Sequence, residues 1–154
     1  MDEEKYLFHE YYNNRCKNDK SGFFKRPVIR KAYFIGAYAK AVILSSWHSE
    51  VSKKNKTFKT WLSNQIINYR NLDRIFEMAF RFEQKLKLRI KNDSEVRKLA
   101  HEITAFNISG ISSAKISYAF VAGFDDYGKF VSENATEINT GNNNSLKEGG
   151  RNNE

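Results

Sequence analysis

From residue 27 to about residue 49, the apolar side chains Val28, Ala32, Ile35, Ala39 and Val42 alternate spacings of four and three. That rhythm puts them on one side of a helix and predicts a buried face. Pro27, the only proline, stands where the helix begins and its missing N–H costs nothing. A shorter amphipathic helix is expected from 2 to about 17, carrying Tyr6, Leu7, Tyr11 and Tyr12 behind an acidic first turn that suits the helix dipole. Residues 18 to 26, with Ser21-Gly22, read as a loop. After a polar connector at 52–56, Phe58, Trp61, Leu62, Ile66 and Ile67 predict another short helix.

Asn71 is expected to cap the following helix, in which Leu72, Ile75, Ala79, Phe82, Leu86 and Ile90 keep the helical period. Within it, Lys85-Leu-Lys-Leu-Arg-Ile-Lys91 also alternates with period two, as a strand would. It is assigned to the helix because it continues a longer helical pattern and has no second strand to pair with. Asn92-Asp93-Ser94 marks a break with an N-cap, and Val96, Leu99, Ile103 and Phe106 follow at helical spacing. After Ser109-Gly110, a last helix is expected from about 112 to 131, with Ile116, Phe120, Gly123, Tyr127 and Phe130 on one face. The pattern predicts an all-α fold: a compact helical bundle of about five to six helices over residues 1–131. Over 132–154, Asn, Gly, Glu and Ser dominate without periodicity, which predicts a disordered polar tail.

A chain of 154 residues has room for one domain with a hydrophobic core. Its mean hydropathy is low, at −0.68, yet aromatics make up 14% of it and supply bulky core material. The formal net charge of +8 understates the body, because the tail carries Glu133, Glu137, Glu148 and Glu154 against Lys147 and Arg151. Residues 1–131 hold 24 basic and 14 acidic side chains, a net of +10. Such an excess attracts polyanions; nucleic acid and an anionic membrane surface both satisfy it. The single cysteine, Cys16, excludes an internal disulfide and any multi-cysteine zinc site. The acidic start and the lack of a long apolar run lead to the expectation of a cytoplasmic protein with no membrane span.

Candidate chemistry is sparse. His9, His48 and His101 have no partner at the i, i+4 spacing of a helical metal site, and Asp125-Asp126 lacks a third ligand, so no metal or cofactor is expected. The acidic pair reads as a solvated turn or as a partner for a nearby Lys or Arg. A ribonuclease of the HEPN type would need an Arg followed by His after four to six residues, whereas Arg97 and His101 have three between them. No enzymatic activity is expected.

The positive charge, by contrast, is organised. Arg15, Lys17, Lys20, Lys25, Arg26, Arg30 and Lys31 crowd the first loop and the start of the second helix, with Phe23 and Phe24 between them, and Lys53, Lys54, Lys56 and Lys59 crowd the next loop. Arg74, Arg81, Lys85 and Arg89, spaced seven, four and four, line one helix face. A basic helical stripe flanked by basic loops can follow a phosphate backbone. Phe23, Phe24 or Trp61, if exposed, could stack on the bases of a single strand. The plainer alternatives are a soluble lysine-rich surface and aromatics spent on the core.

Two segments look alike: Tyr33-Phe-Ile-Gly-Ala-Tyr38 and Tyr118-Ala-Phe-Val-Ala-Gly-Phe124. In each, a small Gly amid aromatics would let two helices approach closely. As a pair bracketing a helical domain from about 27 to 130, they resemble the C-terminal region of the type I CRISPR large subunit, most like subtype I-B, which is also made as a separate small subunit. The family's early segment has the form Phe-x-x-Gly, and here one residue rather than two separates Phe34 from Gly36. The resemblance implies a non-enzymatic small subunit of an antiviral Cascade ribonucleoprotein, present in several copies. Its implied partners are the large subunit and the backbone subunits, guide RNA, and target or displaced DNA. A chain starting at its own Met1 would suit internal translation within a large-subunit gene. The alternative from a different class is a helical protein–protein adaptor whose basic charge serves solubility.

Overall fold

The computed structural model describes residues 7–46, 58–86, 93–102 and 111–150. Among them are six α-helices and no strand: α1 (His9–Asn18), α2 (Pro27–Ser46), α3 (Phe58–Ser63), α4 (Tyr69–Leu86), α5 (Asp93–Glu102) and α6 (Ser113–Gly150). A single 3₁₀ turn, Phe23–Lys25, joins α1 to α2. The all-α bundle follows the apolar rhythm of the sequence. Lys85 lies on α4, as helical continuity predicts, while most of the period-two run falls outside the described residues. The last helix is assigned to Gly150, past Val131 where the apolar pattern stops; its described side chains end at Glu133.

The bundle is built around α2, against which α6, α5 and α4 all pack. The alternating pattern predicts one buried face, and Val28, Ala32, Ile35, Ala39 and Val42 are indeed fully buried. Yet Ile29, Tyr33, Phe34, Ala37, Tyr38, Ala41 and Ile43 are buried as well. An apolar helix with few polar positions is wrapped on all sides, so α2 is the axis of the core rather than one wall of it.

The face predicted for α6, Ile116, Phe120, Gly123, Tyr127 and Phe130, is the face that meets α2. The two look-alike segments cross here. A Cβ added at Gly36 would stand 2.0 Å from the carbonyl oxygen of Phe120, and one at Gly123 would stand 1.8 Å from that of Tyr33. Each helix therefore uses its glycine to admit the backbone of the other, and the crossing leaves no room for a methyl group on either side.

Phe8, fully buried though outside the predicted face of α1, packs its ring against Tyr11, Tyr33, Phe34, Tyr127 and Phe130, with centroids 5.3 to 6.1 Å away. Capping also departs from expectation in one place. The helix expected to be capped by Asn71 starts earlier, because the Asn68 side-chain oxygen accepts the Asn71 N–H at 3.0 Å. Asn71 instead donates its side-chain amide to the Ile66 carbonyl at 2.8 Å. At the head of α6, the Ser112 hydroxyl accepts from the Lys115 N–H at 3.3 Å, a conventional cap.

Candidate nucleic-acid interface

Two buried carboxylates determine which charges reach the surface. Asp126 on α6 accepts two hydrogen bonds from Arg15 of α1, from Nε at 2.7 Å and Nη2 at 2.9 Å, and a third from the Tyr33 hydroxyl at 2.7 Å. Of the two readings of the acidic pair, Asp126 takes the second, as a partner for an arginine, while Asp125 stays exposed. Glu83 on α4 repeats the arrangement, receiving the Tyr38 hydroxyl and Nη1 of Arg97 at 2.7 Å. Burial, followed by the neighbouring carboxylate, raises both tyrosine pKa values well above the usual phenol range. Arg97 is thus engaged inside the fold, and His101 stacks on Phe76 with centroids 5.3 Å apart. Among the described residues no group of three or more potential metal ligands converges.

With Glu83 drawn inward, the outer face of α4 becomes more positive than its sequence suggests. Arg74, Arg81 and Lys85 are all exposed and share a side of the helix opposite buried Leu72, Ile75 and Ala79. Arg70, four residues before Arg74, extends the row and is exposed too. It was missed because the helix was expected to start at Asn71. Glu77 is exposed beside the stripe, and none of these residues forms an ion pair among the described residues. The Arg74 guanidinium lies 5.9 Å from the Trp61 ring centroid, and Trp61 in turn stacks on Phe58. That indole is half-buried and serves the α3–α4 junction.

The loop residues divide. Lys25 and Arg26 are exposed at the end of the 3₁₀ turn. Arg30 is half-buried, with its guanidinium 5.6 Å from the ring centroids of both Tyr12 and Phe34. Lys31 turns into the body: it is 6% exposed, and its ammonium meets Asp73 of α4 at 2.7 Å. It joins α2 to α4, so its charge is answered within the fold. Lys59 is exposed on α3. Lys53, Lys54, Lys56 and Arg89 lie outside the described residues.

A groove of about 1050 Å³ opens between α1, the 3₁₀ turn and the first half of α6. Its turn is rigidly built. Gly22 takes the left-handed conformation that only glycine adopts freely, with φ 76°. Asp19 accepts from the Ser21 hydroxyl at 2.6 Å and the Phe24 N–H at 2.9 Å, bonds that hold its carboxyl below its ordinary pKa. The Tyr12 hydroxyl donates to the Phe24 carbonyl at 2.6 Å. Phe24 is buried and Phe23 half-buried, so the phenylalanine pair belongs partly to the core. The aromatic that reaches solvent is Tyr118, 55% exposed, which no periodic argument singled out.

Comparison with protein families, curated proteins and solved structures found no match to this chain. Among the described residues no helix is long and apolar enough to cross a membrane.

Proposed function

We propose that this protein is a non-enzymatic nucleic-acid-holding subunit, of the kind that serves as the small subunit of a type I CRISPR interference complex. The observation that carries the binding reading is the outer face of α4, where Arg70, Arg74, Arg81 and Lys85 stand exposed in one row without ion-pair partners among the described residues. A row of fixed cations on a rigid helix neutralises successive phosphates and releases their counterions, which favours binding regardless of base sequence. The CRISPR assignment rests on the resemblance of the two glycine-aromatic segments. It gains support from their meeting where α2 and α6 cross, each glycine admitting the other helix's backbone. In such a complex, base pairing reads sequence and the protein holds backbone and shape. On this reading the subunit works in the cytoplasm, beside guide RNA, opened target DNA, the large and backbone subunits and further copies of itself.

A salt titration of single-strand binding tests the reading. Changing Arg74, Arg81 and Lys85 together to Ala removes three phosphate contacts. It should flatten the log–log salt slope by about 2, at about 0.7 per contact on a single strand, while leaving helicity intact. Wild-type protein with no detectable affinity at low salt would refute strand binding by the chain itself and favour the adaptor reading. A triple variant that binds as wild type would remove the stripe from the interface.

A further inference from the structure

The groove beside the 3₁₀ turn contains a different chemistry from the α4 stripe. Its six charged lining residues are Arg15, Arg26, Lys115, Lys129, Asp19 and Asp126. Both acids are already engaged: Asp126 holds Arg15 and Tyr33, and Asp19 holds the turn through Ser21 and Phe24. Arg26, Lys115 and Lys129 remain, all exposed and without ion pairs among the described residues. Tyr118 lines the same groove, one turn after Lys115 and three turns before Lys129 on α6. Its ring rests against Phe23 and Phe24, with centroids 6.0 and 6.1 Å away, and these two rings meet edge to face at 5.1 Å. A side chain backed in this way is fixed on its inner side and open on its outer one, so little rotamer freedom remains to be lost on binding.

An open aromatic face in a groove lined by cations suits a ligand that joins a flat π-system to an anion. An acidic peptide would use the cations and leave the ring idle; an apolar helix would leave three charges without partners. We propose that this groove seats one unpaired nucleotide of a bound strand, with its base stacked on Tyr118 and its flanking phosphates on Arg26 and Lys115, while Lys129, about 16 Å further along α6, meets the continuing backbone. The proposal rests on the backbone-binding reading and adds base contact to it. The volume of about 1050 Å³ is just above the range of small-ligand sites, about 300–1,000 Å³, and leaves room for the sugar and phosphates as well as the base.

The test compares two single strands of equal length and charge, one of ordinary thymidines and one of abasic residues. A third strand carries a single 2-aminopurine, whose fluorescence falls on stacking. Wild-type protein should bind the thymidine strand about fivefold or more tighter than the abasic one, the gain expected from a stacked base, and should quench the 2-aminopurine. Tyr118→Ala should abolish that preference while abasic-strand affinity stays as in wild type, and Tyr118→Phe should preserve it. Because quenching is read on wild-type protein, the test survives even if Tyr118→Ala loosens the turn. Equal affinity for both strands, or a preference that persists with Tyr118→Ala in a folded protein, overturns the stacking site and leaves backbone binding standing. Binding to neither strand at low salt overturns both.

Discussion

Replacing Gly36 with alanine tests the packing argument directly, because local propensity and tertiary contact predict opposite signs. In an ordinary helix interior the change stabilises by about 0.5–1 kcal/mol, since glycine has more backbone freedom to lose. At Gly36 the new Cβ would lie 2.0 Å from the carbonyl oxygen of Phe120, and contacts below 3.0 Å are essentially never seen for a real Cβ. Helices α2 and α6 would have to part by about 1 Å at their tightest crossing. The neighbour is backbone, so no rotamer change relieves the clash. Overpacking of this kind costs about 1–3 kcal/mol, which outweighs the propensity gain. Gly128→Ala serves as the control. It lies on α6, the helix that α2 crosses, but its Cβ would meet only the end of the Lys40 side chain, Cε at 3.1 Å and Nζ at 3.6 Å, and a lysine tip can swing away. Urea and thermal denaturation should therefore show Gly36→Ala destabilised by about 1–3 kcal/mol, with a fall in Tm of about 2–4 °C per kcal/mol, while Gly128→Ala is neutral or slightly stabilised. Gly123→Ala should behave like Gly36→Ala. The double variant should cost less than the two added, since the first methyl already opens the crossing. A Gly36→Ala protein as stable as wild type would refute the claim that the glycines allow the close approach.

Three further outcomes follow from polar groups engaged within the fold. Asp126→Ala leaves the Arg15 guanidinium and the Tyr33 hydroxyl without their acceptor and should cost about 3 kcal/mol in denaturant unfolding, the lower end for a broken buried pair because Arg15 is partly solvated. Asp126→Asn, which keeps an acceptor for Tyr33, should cost less, and equal losses would contradict the role given to the hydroxyl. Glu95 on α5 accepts the N–H groups of Phe8 and His9 at 3.1 and 3.0 Å and caps α1 from a distant helix. Glu95→Ala should cost about 1 kcal/mol and speed hydrogen exchange at those two amides; unchanged exchange there would exclude the cap. The folded state holds the Tyr33 and Tyr38 protons more tightly than the unfolded chain does, whose phenols titrate near 10.0. Their stabilisation is therefore complete below about pH 10 and is lost as pH rises toward the folded values. Alkaline unfolding curves of a Tyr33→Phe, Tyr38→Phe double variant should slope less steeply above pH 10 than those of wild type, and identical slopes would refute the linkage.

Much of the molecule was legible in order of residues alone. Apolar spacing determined the positions of α2, α4, α5 and α6, because a helix with one core-facing stripe must repeat every three or four residues whatever it packs against. The glycine-aromatic segments were likewise visible as places of close approach, and the row Arg74, Arg81, Lys85 as a shared face. Three things depended on the three-dimensional arrangement. Spacing within α2 could not show that it would be surrounded, since that depends on how many neighbours dock on it. Charge counts could not show that Lys31, Arg15 and Arg97 are matched by Asp73, Asp126 and Glu83, since the last two partners approach over 111 and 14 residues. Nor could they show that Arg70 joins the stripe, which hung on Asn68 rather than Asn71 starting α4. Tyr118 gave no periodic signal, because exposure on a helix is the default outside the buried face. Only the turn held by Asp19 and Gly22 brings Phe23 and Phe24 behind it, and that is a matter of tertiary contact between segments that the chain keeps far apart.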